Sequence, residues 1–162
     1  MKKYILVLCL LLLLFSSCQA TKTEPACADL GLAVGNALPN GVQLTHVDED
    51  FLETTFDFIT KTEDHVLLLD TSDSGTREIG IFKTANGTTT ADVEHGIRDY
   101  LKSEQEALRS LCALYPTDDL TERLWRYQNA TVMTKGAYVA YFVLSQNDTK
   151  TARSAFLGAF ND

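Results

Sequence analysis

The sequence lacks the short motifs by which catalytic and metal-binding sites are commonly recognised. It contains no H-E-x-x-H pair, no serine in a nucleophile-elbow context and no two cysteines at zinc-ligand spacing. Its three histidines, His46, His65 and His95, are isolated from one another. We therefore predict no catalytic residue, no metal site and no cofactor.

The chain also lacks a cluster of basic residues. It has 14 lysines and arginines against 22 acidic residues, a net charge of −8, and beyond the N-terminal segment the basic residues are scattered between Lys22 and Arg153. Because phosphate neutralisation requires a basic patch, we predict no nucleic-acid partner.

A hydrophobic run long enough to cross a membrane is missing as well. The longest apolar run, Ile5 to Phe15, has 11 residues, whereas a spanning helix needs about 20. Two lysines precede this run, and two serines and Cys18 follow it. This order is typical of a bacterial lipoprotein export signal, with residues 1–17 removed. We predict that Cys18 is lipidated and anchors the protein to the cell membrane, facing outside the cytoplasm.

The cleavage site has a second interpretation. Phe15 stands three residues before Cys18, where lipoprotein signals usually carry Leu, Val or Ile. The sequence Cys18-Gln19-Ala20 also resembles an A-x-A-type site, and cleavage there would release a soluble secreted protein that begins at Thr21. The spacing of basic start, apolar run and cysteine favours lipidation.

What remains after cleavage has the size of one domain. Removal of residues 1–17 leaves 145 residues and, because two lysines are lost, a net charge of −10. Residues 18–25 form the lipidated cysteine and a short tether, and residues 26–162 form a single domain.

Hydrophobic periodicity and turn residues predict the α+β fold class. Strands are expected in two hairpins, and the order of the elements predicts an antiparallel sheet of about four strands packed against several helices. The predicted helices are Ala26–Leu38, Asp48–Phe56, Thr90–Leu114, Asp118–Tyr127 and a final helix capped by Asp148, and the predicted strands are His65–Thr71, Glu78–Thr84, Ala130–Thr134 and Tyr138–Leu144.

Two cysteines remain in the mature domain, Cys27 and Cys112, each on the apolar stripe of a predicted helix. They could be two buried thiols, or they could form a disulfide, which is permitted outside the cytoplasm. We favour buried thiols, since a core of this size needs no covalent bridge.

One segment imitates a catalytic motif. Asp73-Ser74-Gly75-Thr76 matches the loop of aspartic proteases, in which two aspartates share a proton. That chemistry needs a second copy of the loop or a symmetric dimer, and the sequence has no second copy. We interpret the segment as a hairpin turn, for which Ser, Asp and Gly are the usual residues.

Three aromatic residues, Tyr115, Trp125 and Tyr127, could form an exposed contact patch, since Trp and Tyr are enriched at interfaces. The alternative is that they belong to the core. We favour the core.

Three stretches resemble a known family. They are Asp50-Phe51-Leu52-Glu53, then Glu78-Ile79-Gly80-Ile81-Phe82-Lys83, and above all Thr134-Lys135-Gly136-Ala137-Tyr138-Val139. These are similar to small bacterial lipoproteins, mostly of Gram-positive bacteria, catalogued as domain of unknown function 4358. The resemblance implies a membrane-anchored envelope lipoprotein without an assigned biochemical role, and it transfers no catalytic or binding residue.

Two functional hypotheses follow. The first is a lipid-anchored, non-enzymatic envelope domain that binds an unidentified envelope protein or ligand. The second is an envelope hydrolase, for which Asp73 is the one candidate residue.

Overall fold

The computed structural model describes residues 24–39, 44–70 and 77–160. Within them the chain forms five α-helices, five strands and one short 3₁₀-helix. The elements are α1 (Cys27–Ala37), β1 (Leu44–His46), α2 (Glu49–Thr55), the 3₁₀-helix (Ile59–Lys61), β2 (Thr62–Asp70), β3 (Glu78–Thr84), α3 (Thr90–Leu114), α4 (Asp118–Gln128), β4 (Thr131–Lys135), β5 (Tyr138–Val143) and α5 (Gln146–Gly158).

The strands form one antiparallel sheet in the order β1-β2-β3-β5-β4. The predicted α+β class is confirmed, but the sheet has five strands rather than about four. The additional strand, β1, lies at an edge, where Thr45 pairs with Leu69. A strand of three residues is too short to show the alternation by which strands are predicted.

Helices cover both faces of the sheet, because successive strand residues point to opposite sides. On one face α1 and α5 pack over a core that includes Val66, Ile79, Ile81 and Phe142. On the other face α2, α3 and α4 pack over Leu67, Phe82, Val139, Tyr141 and Val143. Strand β5 is buried at every residue, because it lies inside the sheet between β3 and β4.

Several predicted boundaries are confirmed. Strand β3 and helix α3 match their predicted ranges, and Asp48 caps α2 by accepting from the backbone N–H of Phe51 at 2.9 Å. Asp148 was predicted to cap the final helix, which is wrong. Ser145 is its N-cap and accepts from the Asp148 N–H, so that Asp148 lies inside the first turn.

The two cysteines form no disulfide. Both thiols are free, because α1, which carries Cys27, and α3, which carries Cys112, pack on opposite faces of the sheet. Cys27 is fully buried, as predicted, and its burial raises the pKa of the thiol. Cys112 is only half-buried, so the prediction of a second buried thiol is wrong.

The start of the domain is fixed to one end of the sheet. Near the end of β3, Lys83 Nζ pairs with Glu24 Oε2 at 2.8 Å and with Glu63 Oε1 at 2.5 Å. The Tyr138 hydroxyl donates to the carbonyl of Pro25 at 2.7 Å. Residues 24 and 25 therefore lie against the end of β3 that is farthest from Glu78.

Candidate functional site

The most unusual residue of the core is Glu78, the first residue of β3. Its accessible fraction is 3%, although glutamate is almost never fully buried unless it is paired. Strand β3 lies at the centre of the sheet, between β2 and β5. The alternation along β3 places Glu78 on the same face as Gly80 and Phe82, beneath α3 and α4.

Three tyrosine hydroxyls bind the Glu78 carboxyl group. Tyr100 of α3 donates to Oε1 at 3.0 Å and to Oε2 at 3.1 Å, and Tyr127 of α4 donates to Oε2 at 2.7 Å. Tyr141 of β5 donates to Oε1. Because a phenol has one hydroxyl proton, the Tyr100 contact is one bond shared between both oxygens, and the three hydroxyls occupy three of the roughly four acceptor positions of a carboxylate.

Burial and hydrogen bonding act in opposite directions on this carboxyl group. Burial raises the pKa of Glu78, whereas the three tyrosine hydrogen bonds lower it, and burial has the larger effect. The same environment raises the pKa of Tyr100, Tyr127 and Tyr141, because each phenol is buried next to the Glu78 carboxyl group. All three tyrosines therefore remain hydrogen-bond donors at physiological pH.

Gly80 makes this arrangement sterically feasible. It lies opposite Tyr141 in the register of β3 and β5. A Cβ atom at Gly80 would lie 2.1 Å from Cε1 of Tyr141, well inside normal carbon contact distance. The missing side chain lets the tyrosine ring lie across β3 and reach Glu78 two residues away.

A cavity of about 410 Å³ adjoins the tyrosine-bound carboxyl group. Its wall is built from the end of β2, the start of β3 and the facing sides of α2, α3 and α4. The charged residues of the wall are Asp70, Arg77, Glu78, Glu104 and Arg123, and the others are Phe51, Thr55, Leu69, Tyr100 and Tyr127. This volume is in the range of small-ligand sites.

Two arginines in this wall have an unsatisfied donor. Among the described residues, the buried side-chain nitrogen and oxygen atoms without a hydrogen-bond partner are the Nε atoms of Arg77 and Arg123. Arg77 uses Nη1 to pair with Asp70 Oδ2 at 3.3 Å, and the Asp70 side chain is only 1% exposed. A buried donor that lacks a partner costs about 1–3 kcal/mol.

A second cavity of about 500 Å³ continues from the first. Both are lined by Thr55, Tyr100 and Glu104, so the two together form one groove between α2 and α3. The floor of the second cavity is aromatic, with Phe56 and Phe58, and its rim carries mainly acidic residues.

The sequence-predicted site residues lie elsewhere. Cys18 and Asp73 are outside the described residues. Trp125 and Tyr115 are 45% and 66% exposed, so the prediction that they belong to the core is wrong, whereas Tyr127 is buried as predicted. In the described ranges, no three His, Cys, Asp or Glu side chains are grouped so that they could hold a metal ion. None of the described helices is both long and apolar enough to cross a bilayer.

The sequence contains two indications of the site. Glu78 begins a strand whose next residues are apolar on both faces, and Tyr141 lies in the middle of another such strand. A buried tyrosine hydroxyl needs a hydrogen-bond partner, and a buried acid needs donors. The two requirements can satisfy each other on neighbouring strands.

No protein-family model, curated protein or solved structure matches this chain. The groove is therefore interpreted from its own geometry.

Proposed function

We propose that this protein is a lipid-anchored envelope lipoprotein of the kind catalogued as domain of unknown function 4358, and that it acts as a non-enzymatic binding domain outside the cytoplasm. The N-terminal signal supports the lipid anchor at Cys18. The observation that carries the binding role is the cavity beside Glu78, whose wall includes two arginines that each have a buried Nε without a hydrogen-bond partner.

The state of Glu78 favours binding over catalysis. A general acid or base must exchange a proton with the substrate through a free lone pair or an O–H. Tyr100, Tyr127 and Tyr141 already occupy three of the roughly four acceptor positions of Glu78, and the side chain is buried. In this role the carboxyl group fixes the positions of three rings, two of which line the cavity.

An envelope hydrolase is the second candidate, and one observation favours it. A buried carboxyl group with a raised pKa next to a cavity is a common feature of general acids. The Glu78→Gln variant, incubated with cell-wall and membrane material, tests this alternative. Hydrolysis products released by the wild-type protein and not by the variant would support the enzyme and contradict the binding role.

The anchor is tested by the intact mass of the protein from the membrane fraction. We expect a chain that begins at Cys18 and carries a diacylglyceryl group. A lipid-free chain that begins at Thr21 would contradict the anchor and would indicate a secreted protein.

The binding role is tested by native mass spectrometry after incubation with an extract of envelope small molecules. We expect the wild-type protein to gain mass and Thr55→Trp to gain none, because Thr55 lines both cavities and a large ring there fills the groove. Thr54→Trp is the matched control, since Thr54 precedes Thr55 on α2 and is exposed. Equal mass gain in both variants, or none in the wild-type protein, would contradict a ligand in this groove.

A further inference from the structure

The wall of the cavity beside Glu78 contains two oppositely charged side chains that do not form an ion pair with each other. Arg123 of α4 and Glu104 of α3 both line it. Neither makes an ion pair with any described residue, the other one included, although opposite charges within one small cavity attract each other. By contrast, Arg77 is paired with Asp70. One positive and one negative group of the wall therefore remain available.

The charged side chains that are already paired show which groups of the wall remain to bind a ligand. Glu78 is occupied by its three tyrosines, and Asp70 is bound to Arg77. Arg123 can donate from its guanidinium group to a carboxylate, and Arg77 brings a second guanidinium group to the same wall. A water molecule could accept from one such donor, but it carries no charge to pair with Arg123. Glu104 can accept from an ammonium group.

We propose that this cavity binds a small zwitterion of the α-amino acid class, with its carboxylate at Arg123 and Arg77 and its ammonium group at Glu104. This inference rests on the proposed binding function and names the ligand class of the same site. A dianion such as a phosphate would be repelled by Glu104, and a simple cation would leave Arg123 unpaired. A zwitterion satisfies both groups and leaves the net charge of the cavity unchanged.

The remaining wall fits an apolar side chain on such a ligand. Leu69 and the ring of Phe51 complete the lining beside the charged groups. The Phe51 ring on α2 is 41% exposed although it is apolar. Burial of this ring by a bound side chain would be favourable, at about 25 cal/mol per Å² of apolar surface.

The experiment uses the mature protein in detergent micelles and measures binding by calorimetry. The probes are the standard L-amino acids, followed by the N-acetyl and the carboxamide derivatives of the one that binds most tightly. We expect both derivatives to bind at least about tenfold more weakly, because each lacks one of the two charges. We expect the same loss for the amino acid with Arg123→Gln and with Glu104→Gln.

Arg109→Gln is the matched control, because it removes the same charge from an exposed position of α3. Circular dichroism of each variant identifies any that fails to fold. If no standard amino acid binds, if the derivatives bind equally well, or if Arg109→Gln lowers affinity as much as Arg123→Gln, the inference is overturned. Should the envelope extract still yield a bound compound that Thr55→Trp excludes, only the ligand class has failed; without such a compound the proposed binding function has failed as well.

Discussion

The substitution Gly80→Ala tests whether the close contact between β3 and the Tyr141 ring organises the core. The added Cβ would lie 2.1 Å from Cε1 of Tyr141 and 2.8 Å from Cδ1 and Cζ. Since carbon atoms normally approach to about 3.5–4.0 Å, the ring has to move by more than an ångström. It cannot move freely, because it is fully buried and packs against Phe56, Phe82 and Tyr100.

Two costs add to the effect of this substitution. Overpacking of a dense core costs about 1–3 kcal/mol. Displacement of the Tyr141 hydroxyl from Glu78 removes one donor from a buried carboxyl group, at about 1–3 kcal/mol. Alanine loses less conformational entropy on folding than glycine, which returns about 0.5–1 kcal/mol. We expect a net loss of about 1–5 kcal/mol in the free energy of unfolding.

The assay is urea unfolding followed by circular dichroism, with Gly35→Ala as the control. A Cβ at Gly35, inside α1, would contact only Leu44 Cδ1 at 3.9 Å, so this variant should gain up to about 1 kcal/mol. A double-mutant cycle with Tyr141→Leu, which removes the ring, should recover most of the overpacking cost. The reasoning is refuted if Gly80→Ala changes stability by less than about 0.5 kcal/mol, or if its cost is the same with and without the Tyr141 ring.

Three further predictions concern acidity, thiol reactivity and helix capping. Burial raises the pKa of Glu78 above the value of about 4.3 for a free glutamate. Protonation of Glu78 therefore stabilises the folded state. This stabilisation is fully present below that value and is lost as the pH rises through the folded-state pKa. Relative to Glu78→Gln, the wild-type protein should therefore lose stability in urea unfolding curves recorded at increasing pH, and a difference that stays constant or grows would contradict this sign. In the folded mature protein iodoacetamide should modify Cys112 and leave Cys27 unmodified until unfolding, because Cys27 is buried and the pKa of its thiol is raised. Equal labelling rates of the two cysteines, measured by mass spectrometry, would contradict this prediction. The substitution Thr89→Ala should lower stability by about 1 kcal/mol, since it removes the threonine hydroxyl that accepts from the Asp92 backbone N–H at the start of α3. Unchanged thermal unfolding would mean that this cap adds nothing.

The elements that could be predicted from the sequence are those whose caps, apolar pattern and turn residues lie within the element or directly beside it. Helix α3 has a capping threonine, a continuous apolar stripe and Pro116 beyond its end, and its predicted range is confirmed. Strand β3 is bounded by turn residues and is apolar on both faces. Strand β1 was missed because its three residues become a strand only through pairing with β2.

The site could not be predicted in the same way, because its parts meet only in the folded chain. Four different elements supply Glu78, Tyr100, Tyr127 and Tyr141. The hydrogen bond from Tyr141 to Glu78 joins residues that are 63 positions apart in the sequence. Each residue alone has an ordinary interpretation, as a strand residue or as part of an apolar stripe. The exposure of Trp125 was mispredicted for a related reason, since composition does not indicate which side of α4 faces its neighbour.

The contacts of Glu24 and Pro25 fix the point at which the N-terminal tether joins the domain. They fix the chain near Lys83, and five residues of β3, about 17 Å, separate that point from Glu78. Six peptide bonds connect Glu24 to Cys18, so the chain between them reaches about 20 Å at most. With the lipid on Cys18 that we propose, the point where the tether joins the domain stays within that distance of the bilayer surface. The cavity lies at the other end of β3 from this point, so that an extended tether leaves it open to the aqueous space outside the cell membrane.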